Sequence, residues 1–308
     1  MSVYTDWRAV PAQARGTVAA LGNFDGVHRG HVHVLNTLRT ARPDRPLSVV
    51  TFDPHPRALF RPQDPAFRLM LPNVRANALQ EQGVESVFQL AFDAEFSHLG
   101  AEEFVKDVLI NALGVQHVAC GADFAFGHRR GGDTARLEHL LTEHGVGLSI
   151  VPQLTDDNGP ISSSRIRRLL QEGYPERAAM ELGRLWSIVG PVVHGDQRGR
   201  LLGFPTANIP LGQHIEPARG VYAVWVTLPD GRVLPGVANI GRRPTINDGQ
   251  ESRLEVHLFD FSGDLYGQIL SVALVCLMRE ECRFDSLDAL KAQIAQDAAQ
   301  ARKILSSR

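Results

Sequence analysis

Leu21-Gly22-Asn23-Phe24-Asp25-Gly26-Val27-His28-Arg29-Gly30-His31 follows a short apolar run and precedes a segment in which Val32, Leu35 and Leu38 recur at helical spacing. The glycines favour a turn between the two, so the stretch predicts the end of a strand and the start of a helix. A helix N-terminus offers unpaired N–H groups and the positive end of a dipole, so anions bind there readily. Two imidazoles beside it can donate hydrogen bonds to phosphate oxygens, which predicts a site for nucleotide phosphates.

The two histidines alone allow two other interpretations. A metal site would need further ligands, and no Cys stands nearby at ligand spacing. Ordinary turn chemistry is the better interpretation of an isolated His-x-Gly-His pattern. With its flanking residues, however, the stretch closely resembles the signature of the His-x-Gly-His nucleotidyltransferases, specifically the FMN adenylyltransferase module of bacterial bifunctional FAD synthetases. The resemblance implies that His28 and His31 are catalytic and that the nucleotide is bound by Gly22, Phe24, Asp25 and Gly26.

The length and charge of the chain limit its class. At 308 residues it is about twice the size of a typical domain, which predicts two domains. A formal net charge of −2 argues against nucleic acid or a membrane surface as partner, and no apolar run approaches the length of a membrane span. The three cysteines form no Cys-x-x-Cys pair and the N-terminus lacks the pattern of a secretory signal. We therefore expect a cytoplasmic protein.

The first half alternates strand-like and helix-like segments. Strands are predicted over 17–21, 47–52, 86–90, 116–120 and 147–151, and helices over 73–82, 101–113, 133–144, 166–171 and 176–182. This alternation is typical of a parallel sheet with helical crossovers, in which ligands bind at the carboxyl ends of the strands. The His28 turn, Asp53-Pro54-His55-Pro56 and Gly121-Ala122-Asp123-Phe124 should therefore meet at one edge. We expect a Rossmann-like α/β domain over residues 1–183.

After Leu182 the pattern changes to short strands with turn signals. Strands are predicted over 221–228, 233–240, 253–259 and 268–277, and Pro229-Asp230-Gly231 is a strong turn signal. Helical periodicity returns at Ser286 and predicts one long terminal helix capped by that serine. These signals predict a small β-barrel or a sandwich. We expect an antiparallel barrel, followed by a long helix, over residues 184–308.

Ile161-Ser162-Ser163-Ser164-Arg165-Ile166-Arg167 is a second candidate phosphate site. Serines at a helix start can cap its first turn, and arginines can bind phosphates in a bidentate manner. Taken alone, the segment is better interpreted as a capped helix with a solvated basic face. Together with the histidine turn, it resembles the phosphate clamp of the same superfamily. The resemblance implies that Arg167 is catalytic and stabilises charge on the phosphates, and that Ser163 and Ser164 bind the nucleotide as hydrogen-bond donors. It leaves Arg165 and Arg168 open.

Two loops between these segments point to a flavin. Asp123-Phe124-Ala125-Phe126-Gly127 resembles the flavin-side loop of FAD synthetases, and an isoalloxazine ring suits apolar walls. The resemblance implies flavin contacts by Asp53, Asp123, Phe124 and Phe126, without a catalytic role for Asp123. Asp53 could equally be a turn-forming carboxylate, and the phenylalanines could belong to the core.

Gly195 to Asn208 forms a glycine-rich stretch in the second half. Gly199 and Gly203 would let backbone N–H groups approach phosphate closely, although the stretch lacks the Gly-Lys-Ser/Thr ending of a P-loop. Spacing alone favours an ordinary hairpin loop. Thr206 and Asn208 stand two residues apart, so in an extended segment both face one side and suit a hard Mg²⁺ ion carried by a nucleotide.

This stretch resembles a riboflavin kinase when it is read with Gly220-Val221-Tyr222-Ala223, the segment 236–241 and the segment 254–259. The resemblance implies nucleotide binding by Gly199 and Gly203, flavin binding by Asn239, metal binding by Thr206 and Asn208, and a catalytic base at Glu255. Strand alternation places Leu254, Val256 and Leu258 on one face and Glu255 on the other. A strand glutamate is more often simply solvated. Which of Arg242 and Arg243 contacts the ligand is left open.

Both sets of motifs occur in the proper order, which implies bifunctional flavin cofactor biosynthesis. The expected reactions are ATP-dependent phosphorylation of riboflavin to FMN and adenylylation of FMN to FAD with release of pyrophosphate, assisted by Mg²⁺. The expected partners are the small molecules riboflavin, FMN and ATP, for a monomer or weak homo-oligomer. An enzyme that retains one activity and a flavin-binding regulator are the alternatives. Intact Thr206, Asn208 and Glu255 speak against the regulator.

Overall fold

The computed structural model describes residues 1–195, 203–244 and 250–307, and the chain forms two compact units. Unit 1 comprises Met1–Pro65 and Pro72–Ser162, and unit 2 comprises Ala66–Leu71 and Ser163–Arg308. The second unit thus takes a short segment from the first half of the sequence. The division at residue 183 stays a prediction.

Unit 1 is built on a parallel sheet with helical crossovers, which confirms its predicted fold class. Its strands are β1 Ser2–Tyr4, β2 Val18–Leu21, β3 Leu47–Asp53, β4 Ser86–Ala91, β5 His117–Gly121 and β6 Gly147–Val151, followed by a small hairpin of β7 Thr155–Asp156 and β8 Gly159–Pro160. Its helices are α1 Arg29–Ala41, α2 Pro56–Phe60, α3 Pro72–Glu81, α4 Ala94–Ser97, α5 Ala101–Glu103 and α6 Thr134–Glu143, with single 3-10 turns at Trp7–Ala9, Ala12–Ala14 and His128–Arg130. The sheet order is β1-β4-β3-β2-β5-β6.

The helix predicted over 101–113 differs from expectation in its winding. After α5 the chain continues as a π-helix over Phe104–Ala112. Its buried residues are two adjacent pairs, Phe104 and Val105, then Val108 and Leu109. The second pair follows the first by four residues, and the wider turn of a π-helix brings both pairs to one face. By contrast α6 begins as predicted, since the Asp133 carboxylate accepts from the Arg136 N–H at 2.8 Å.

Unit 2 contains an antiparallel barrel and a C-terminal helix, as predicted. Its helices are α7 Ser163–Gln171, α8 Pro175–Leu182 and α9 Leu287–Ser306, and its strands are β9 Ser187–Pro191, β10 Ala207–Pro210, β11 Gly220–Thr227, β12 Val233–Pro244, β13 Gln250–Leu258 and β14 Ile269–Arg279. The strands follow the order β10-β13-β12-β11-β14-β9. The N–H of Val193 donates to the Asn208 carbonyl at 2.8 Å, which brings the two edges together and nearly closes the barrel.

The segment Ala66–Leu71 is built into the core of unit 2. Leu69 is fully buried there, and its carbonyl accepts from the indole N–H of Trp186 at 2.8 Å. The Arg68 carbonyl accepts from the Ile215 N–H at 2.9 Å. Because this segment is short and lies between helices of unit 1, no local pattern predicts its place in the second unit.

Helix α9 is bound to the barrel by an apolar contact and an ion pair. Ala298, Ala301 and Leu305 pack in one cluster with residues of β11, β12 and β14. The Asp297 carboxylate is 4% exposed and accepts from the Arg279 guanidinium at 2.8 and 3.0 Å. A carboxylate placed so deeply needs such a partner, and this pair therefore fixes α9 on the barrel.

We predict that Asp297→Ala lowers the free energy of unfolding of unit 2 by about 2 kcal/mol, because a half-buried guanidinium loses its carboxylate. Urea unfolding, followed by the fluorescence of Trp186 and Trp225 with Trp7 replaced by Phe in every variant, measures the change. Asp260→Asn is the control, since Asp260 also pairs with an arginine, Arg302, but is 79% exposed and should change stability little. Asparagine tolerates the φ of 54° at this position. Equal effects of the two substitutions would contradict the role of Asp297.

Candidate active sites

The three ligand-edge loops of unit 1 follow neighbouring strands, as predicted. Strands β3, β2 and β5 lie side by side in the sheet. The histidine turn follows β2, Asp53 ends β3, and Ala122 to Phe124 follow β5. Because parallel strands end at one edge, the three loops share the carboxyl edge of this sheet.

His28 and His31 form a reciprocal cap at the start of α1. The Nδ1 atom of His28 accepts from the His31 N–H at 3.4 Å, and the Nδ1 atom of His31 accepts from the His28 N–H at 3.2 Å. The two rings are stacked with centroids 3.6 Å apart. Since each Nδ1 accepts a backbone hydrogen bond, the neutral rings carry their proton on Nε2. The turn therefore presents two imidazole N–H donors at a helix N-terminus, which suits an anion.

The backbone before this cap is strained. Phe24, Gly26 and Val27 have φ angles of 51°, 91° and 40°, and a β-branched residue such as Val27 rarely adopts a positive φ. Phe24, Asp25, Gly26 and Val27 are all buried. Strain of this kind persists only where the surroundings determine it, and it clusters at functional sites.

Gly30 gives the His28 ring its space. A Cβ at this position would lie 3.0 Å from Cε1 and 3.1 Å from Nδ1 of His28, and 3.3 Å from the Ile161 carbonyl oxygen. These contacts are tighter than ordinary packing. Gly22 has a similar relation to Phe24, whose ring a Cβ would approach to 3.2 Å. Both glycines are thus needed for close packing around the histidines.

The candidate flavin phenylalanines belong to a chain of aromatic rings. Phe124 and Phe126 are stacked with centroids 5.7 Å apart, and Phe126 contacts Phe104 at 5.6 Å. Phe104 in turn contacts Phe52, the residue before Asp53. Phe126 is buried and Phe124 is half-buried. Phe126 therefore belongs largely to the core, whereas Phe124 can offer an apolar surface at the loop.

Asp53 is half-buried and Asp123 is exposed. The Asp123 carboxylate accepts from the Gln153 amide at 3.1 Å.

Burial, with a smaller contribution from the charge of Asp123, raises the pKa of the Cys120 thiol to about 12. Cys120 is therefore a poor nucleophile in the folded chain, and its reactivity reports on the folding of unit 1.

Ser163, Ser164 and Arg167 lie on α7 in unit 2. The Arg167 Nε donates to the Phe67 carbonyl at 2.7 Å, and its guanidinium lies 5.4 Å from the Phe67 ring centroid. Arg167 is half-buried and Ser164 is exposed. Arg167 therefore holds the segment Ala66–Leu71 against α7.

The structure distinguishes the two arginines of α7 that the sequence left open. The Arg165 Nε lies 2.5 Å from the Glu181 carboxylate of α8, and both side chains are largely buried. Arg168 is exposed. Arg165 therefore serves the packing of α7 against α8.

In the barrel, Asn208, Glu255 and Asn239 form a row across three neighbouring strands. Asn208 of β10 stands opposite Glu255 of β13, and Glu255 stands opposite Asn239 of β12. Directly opposed residues share a face of the sheet. Leu254 and Val256 point into the core, as predicted, so the row lies on the outer face.

Thr206, half-buried, directly precedes β10. Mg²⁺ prefers hard oxygen donors, and three are found here: the Thr206 hydroxyl, the Asn208 amide oxygen and the Glu255 carboxylate. Asn208 and Glu255 lie on the same outer face of the sheet. A Cβ at Gly195 would lie 2.6 Å from Asn208 Cγ, so the chain leaving β9 passes directly over this amide. Gly203 is exposed with a φ of 85°, whereas Gly199 and the side chains of Arg242 and Arg243 lie outside the described residues. Within the described ranges no group of three or more His, Cys, Asp or Glu could hold a metal ion.

Sequence reasoning missed Arg75 of α3, which is 2% exposed and donates to the Asn23 carbonyl at 3.0 Å. The available signal was its spacing of four residues from Leu79, a fully buried residue of the same helix. An arginine on the buried face of a helix indicates a specific acceptor inside the protein.

The chain matches known protein families over both of its halves. The family model described as FAD synthetase matches residues 10–165, and the one described as riboflavin kinase matches residues 182–305. A bifunctional riboflavin kinase/FMN adenylyltransferase of Pseudomonas fluorescens is 44% identical, over 94% of this chain and 93% of that one. The protein of the same name from Escherichia coli K12 is 42% identical, over 95% and 94% of the two chains.

A solved structure described as a macrolide-efflux protein from Streptococcus pneumoniae has the same fold, with a TM-score of 0.85, 32% identity and coverage of 96% of each chain. The term efflux describes the Streptococcus pneumoniae protein and is not transferred to the present chain. In the part of the present chain that the structure describes, no helix has the length and apolar character needed to cross a membrane.

We predict that Gly30→Ala brings none of the stabilisation that alanine usually gives in a helix, about 0.5–1 kcal/mol, because the methyl group presses on the His28 ring and on Ile161. The free energy of unfolding of unit 1 can be measured from the labelling of Cys120 across a urea series. His33→Ala, at an exposed position of the same helix, should be neutral or slightly stabilising. A full gain at Gly30 would show that His28 moves aside at no cost.

Proposed function

The chain belongs to the bifunctional riboflavin kinase/FMN adenylyltransferases, and we propose that unit 1 performs the adenylyl transfer and unit 2 the phosphorylation with the residues placed above. The enzyme makes FMN from riboflavin and ATP, and FAD from FMN and a second ATP. The observation that carries the proposal for unit 1 is the reciprocal histidine cap. For unit 2 it is the row of Asn208, Glu255 and Asn239.

In unit 1 the terminal phosphate of FMN attacks the α-phosphorus of ATP in line, and pyrophosphate leaves. The nucleophile is already an anion, so the reaction needs positioning and neutralisation of charge rather than a strong base. We assign these tasks to the Nε2–H donors of His28 and His31 and to the N–H groups at the start of α1. The resemblance adds Gly22, Phe24, Asp25 and Gly26 as nucleotide contacts.

The flavin would lie against the neighbouring loops of the same edge. Phe124 supplies a half-buried aromatic face, and Asp53 and Asp123 are the polar residues beside the strand ends. Phe126 supports Phe124 from below through ring stacking. Phosphate binding by Ser163, Ser164 and Arg167, which belong to unit 2, stays a prediction from the resemblance.

In unit 2 the 5′-hydroxyl of riboflavin attacks the γ-phosphorus of ATP in line, and ADP leaves. The nucleophile is a neutral alcohol, and we assign Glu255 to accept its proton, with Asn239 opposite it for the flavin. The oxygen donors Thr206 and Asn208 fit Mg²⁺, which when bound neutralises charge on the phosphates. Gly203 and, outside the described residues, Gly199 are proposed for the nucleotide.

We also propose that the enzyme works in the cytoplasm, since no disulfide links its three cysteines, all of which lie within the described residues. ATP as a co-substrate of both reactions agrees with this location. The oligomeric state stays a prediction of a monomer or weak homo-oligomer.

We predict that His28→Asn lowers the rate of FMN adenylylation by about 10²-fold or more, because the Nε2–H donor is lost. Asparagine is a good N-cap and can still accept from the His31 N–H, so unit 1 stays folded. His28→Ala loses the cap as well and should be both inactive and less stable. FAD formation from FMN and ATP measures the effect, with riboflavin phosphorylation by the same chain as control. Unchanged FAD formation in His28→Asn would remove His28 from the site.

We predict that Glu255→Gln lowers riboflavin phosphorylation by about 10²- to 10⁴-fold, because the amide cannot accept the proton of the hydroxyl. Adenylylation of supplied FMN should be unchanged in the same preparation. Glu172→Gln, at an exposed position of unit 2, controls for the loss of one negative charge. A Glu255→Gln enzyme that phosphorylates riboflavin normally would assign the base to another group.

A further inference from the structure

Arg75 is an arginine inside unit 1 that no step described so far uses. It lies on α3 and is 2% exposed, on the face of the helix that also buries Ala76, Ala78 and Leu79. A guanidinium removed from water is costly unless hydrogen bonds replace its hydration. Its acceptors therefore indicate what it is for.

The guanidinium connects the carboxyl ends of three neighbouring strands. Its Nη1 donates to the Asn23 carbonyl at 3.0 Å, two residues beyond the end of β2. Its Nη2 donates to the Gln89 side-chain oxygen of β4 at 3.2 Å and to the Phe52 carbonyl of β3 at 3.4 Å. Strands β4, β3 and β2 are adjacent in the sheet. A planar guanidinium with donors in fixed directions can hold all three acceptors at set distances.

The most important of these acceptors is the Asn23 carbonyl. It also accepts from the Thr51 hydroxyl at 3.0 Å, and Thr51 is fully buried. Two donors from the interior thus fix the orientation of one peptide group. That peptide group leads directly into Phe24, the first of the residues with positive φ before the histidine cap.

The Phe24–Val27 turn needs such a fixed point. Backbone at positive φ relaxes unless its surroundings over-determine it, and the turn sets where α1 begins. If the Asn23 peptide rotates, the N–H groups and rings of His28 and His31 lose their common direction. Errors of about 1 Å in such placements cost roughly 10²-fold in rate.

We propose that Arg75 is a positioning residue for adenylyl transfer: it fixes the Asn23 carbonyl and thereby the turn that presents His28 and His31 to the phosphates of ATP. Through the Phe52 carbonyl it also steadies the strand end that bears Asp53. The proposal rests on the proposed role of the two histidines. It assigns Arg75 no contact with substrate.

The test compares Arg75→Met, Arg75→Lys and Leu79→Ala in the full-length enzyme. Methionine retains length and apolar bulk but has no donor, whereas lysine retains charge and can still reach one carbonyl. Leu79→Ala destabilises unit 1 from the same helix, by creating a cavity, and leaves the Asn23 carbonyl untouched. Protection of Cys120 from thiol labelling verifies that unit 1 is folded, and riboflavin phosphorylation verifies unit 2 in the same sample.

Steady-state kinetics of FMN adenylylation distinguish positioning from general stability. We expect Arg75→Met to raise the KM for ATP and to lower kcat/KM for ATP by roughly 10- to 100-fold, and Arg75→Lys to recover part of the loss. Leu79→Ala reduces only the folded fraction, so its KM for ATP should equal that of the wild type. A structural role for Arg75 would give Arg75→Met the same behaviour as Leu79→Ala.

Two results would overturn the proposal. One is an Arg75→Met enzyme with Cys120 protected and a kcat/KM for ATP within twofold of the wild type. The other is a lysine variant that is no better than the methionine variant. His28→Asn, assayed alongside, separates this failure from that of the site itself: if His28→Asn is inactive while Arg75→Met is normal, the histidines remain in place and Arg75 alone is dismissed.

Discussion

The reciprocal hydrogen bonds between His28 and His31 are the interaction on which the candidate site of unit 1 depends. Each ring accepts from the backbone of the other residue, so one pair of contacts caps α1, selects the tautomer of both rings and fixes their stacking. The turn that makes this possible passes through positive φ at Phe24, Gly26 and Val27. Gly30 is needed because a side chain there would displace the His28 ring. The geometry at the helix start is therefore set jointly by sequence-local bonds and by the buried packing around them.

Strand register has the corresponding role in unit 2. Asn208, Glu255 and Asn239 lie in one row because β10, β13 and β12 are paired at those residues. A slip by one residue in either pairing would move one member of the row into the core and an apolar residue onto the outer face. Leu254 and Val256, buried on the opposite face of β13, make that slip costly. The hydrophobic core of the barrel thus holds the polar row in place.

The sequence predicted what local pattern determines and missed what distant segments determine. Apolar runs, Asp133 and Ser286 located most strands and helix starts, and the alternation along β13 correctly separated Glu255 from Leu254. The strand β1 Ser2–Tyr4 was missed because a three-residue edge strand has too little pattern. The place of Leu69 in unit 2 and the burial of Arg75 depend on partners far along the chain. Arg165 illustrates the same limit, since only the structure reveals its partner Glu181.

The contrast between the two sites follows from the nucleophile that each must handle. A phosphate monoester is an anion before it reacts, so a base beside it would add nothing. Neutral N–H donors and a helix N-terminus suit it, and the carboxyl edge of unit 1 provides them at His28 and His31. A primary alcohol must lose a proton as it attacks, so a general base beside it assists the reaction. The polar row of the barrel has one, Glu255, between two amides that carry no charge. With the site residues proposed above, the difference in residue types between the two sites follows from the charge on the attacking oxygen.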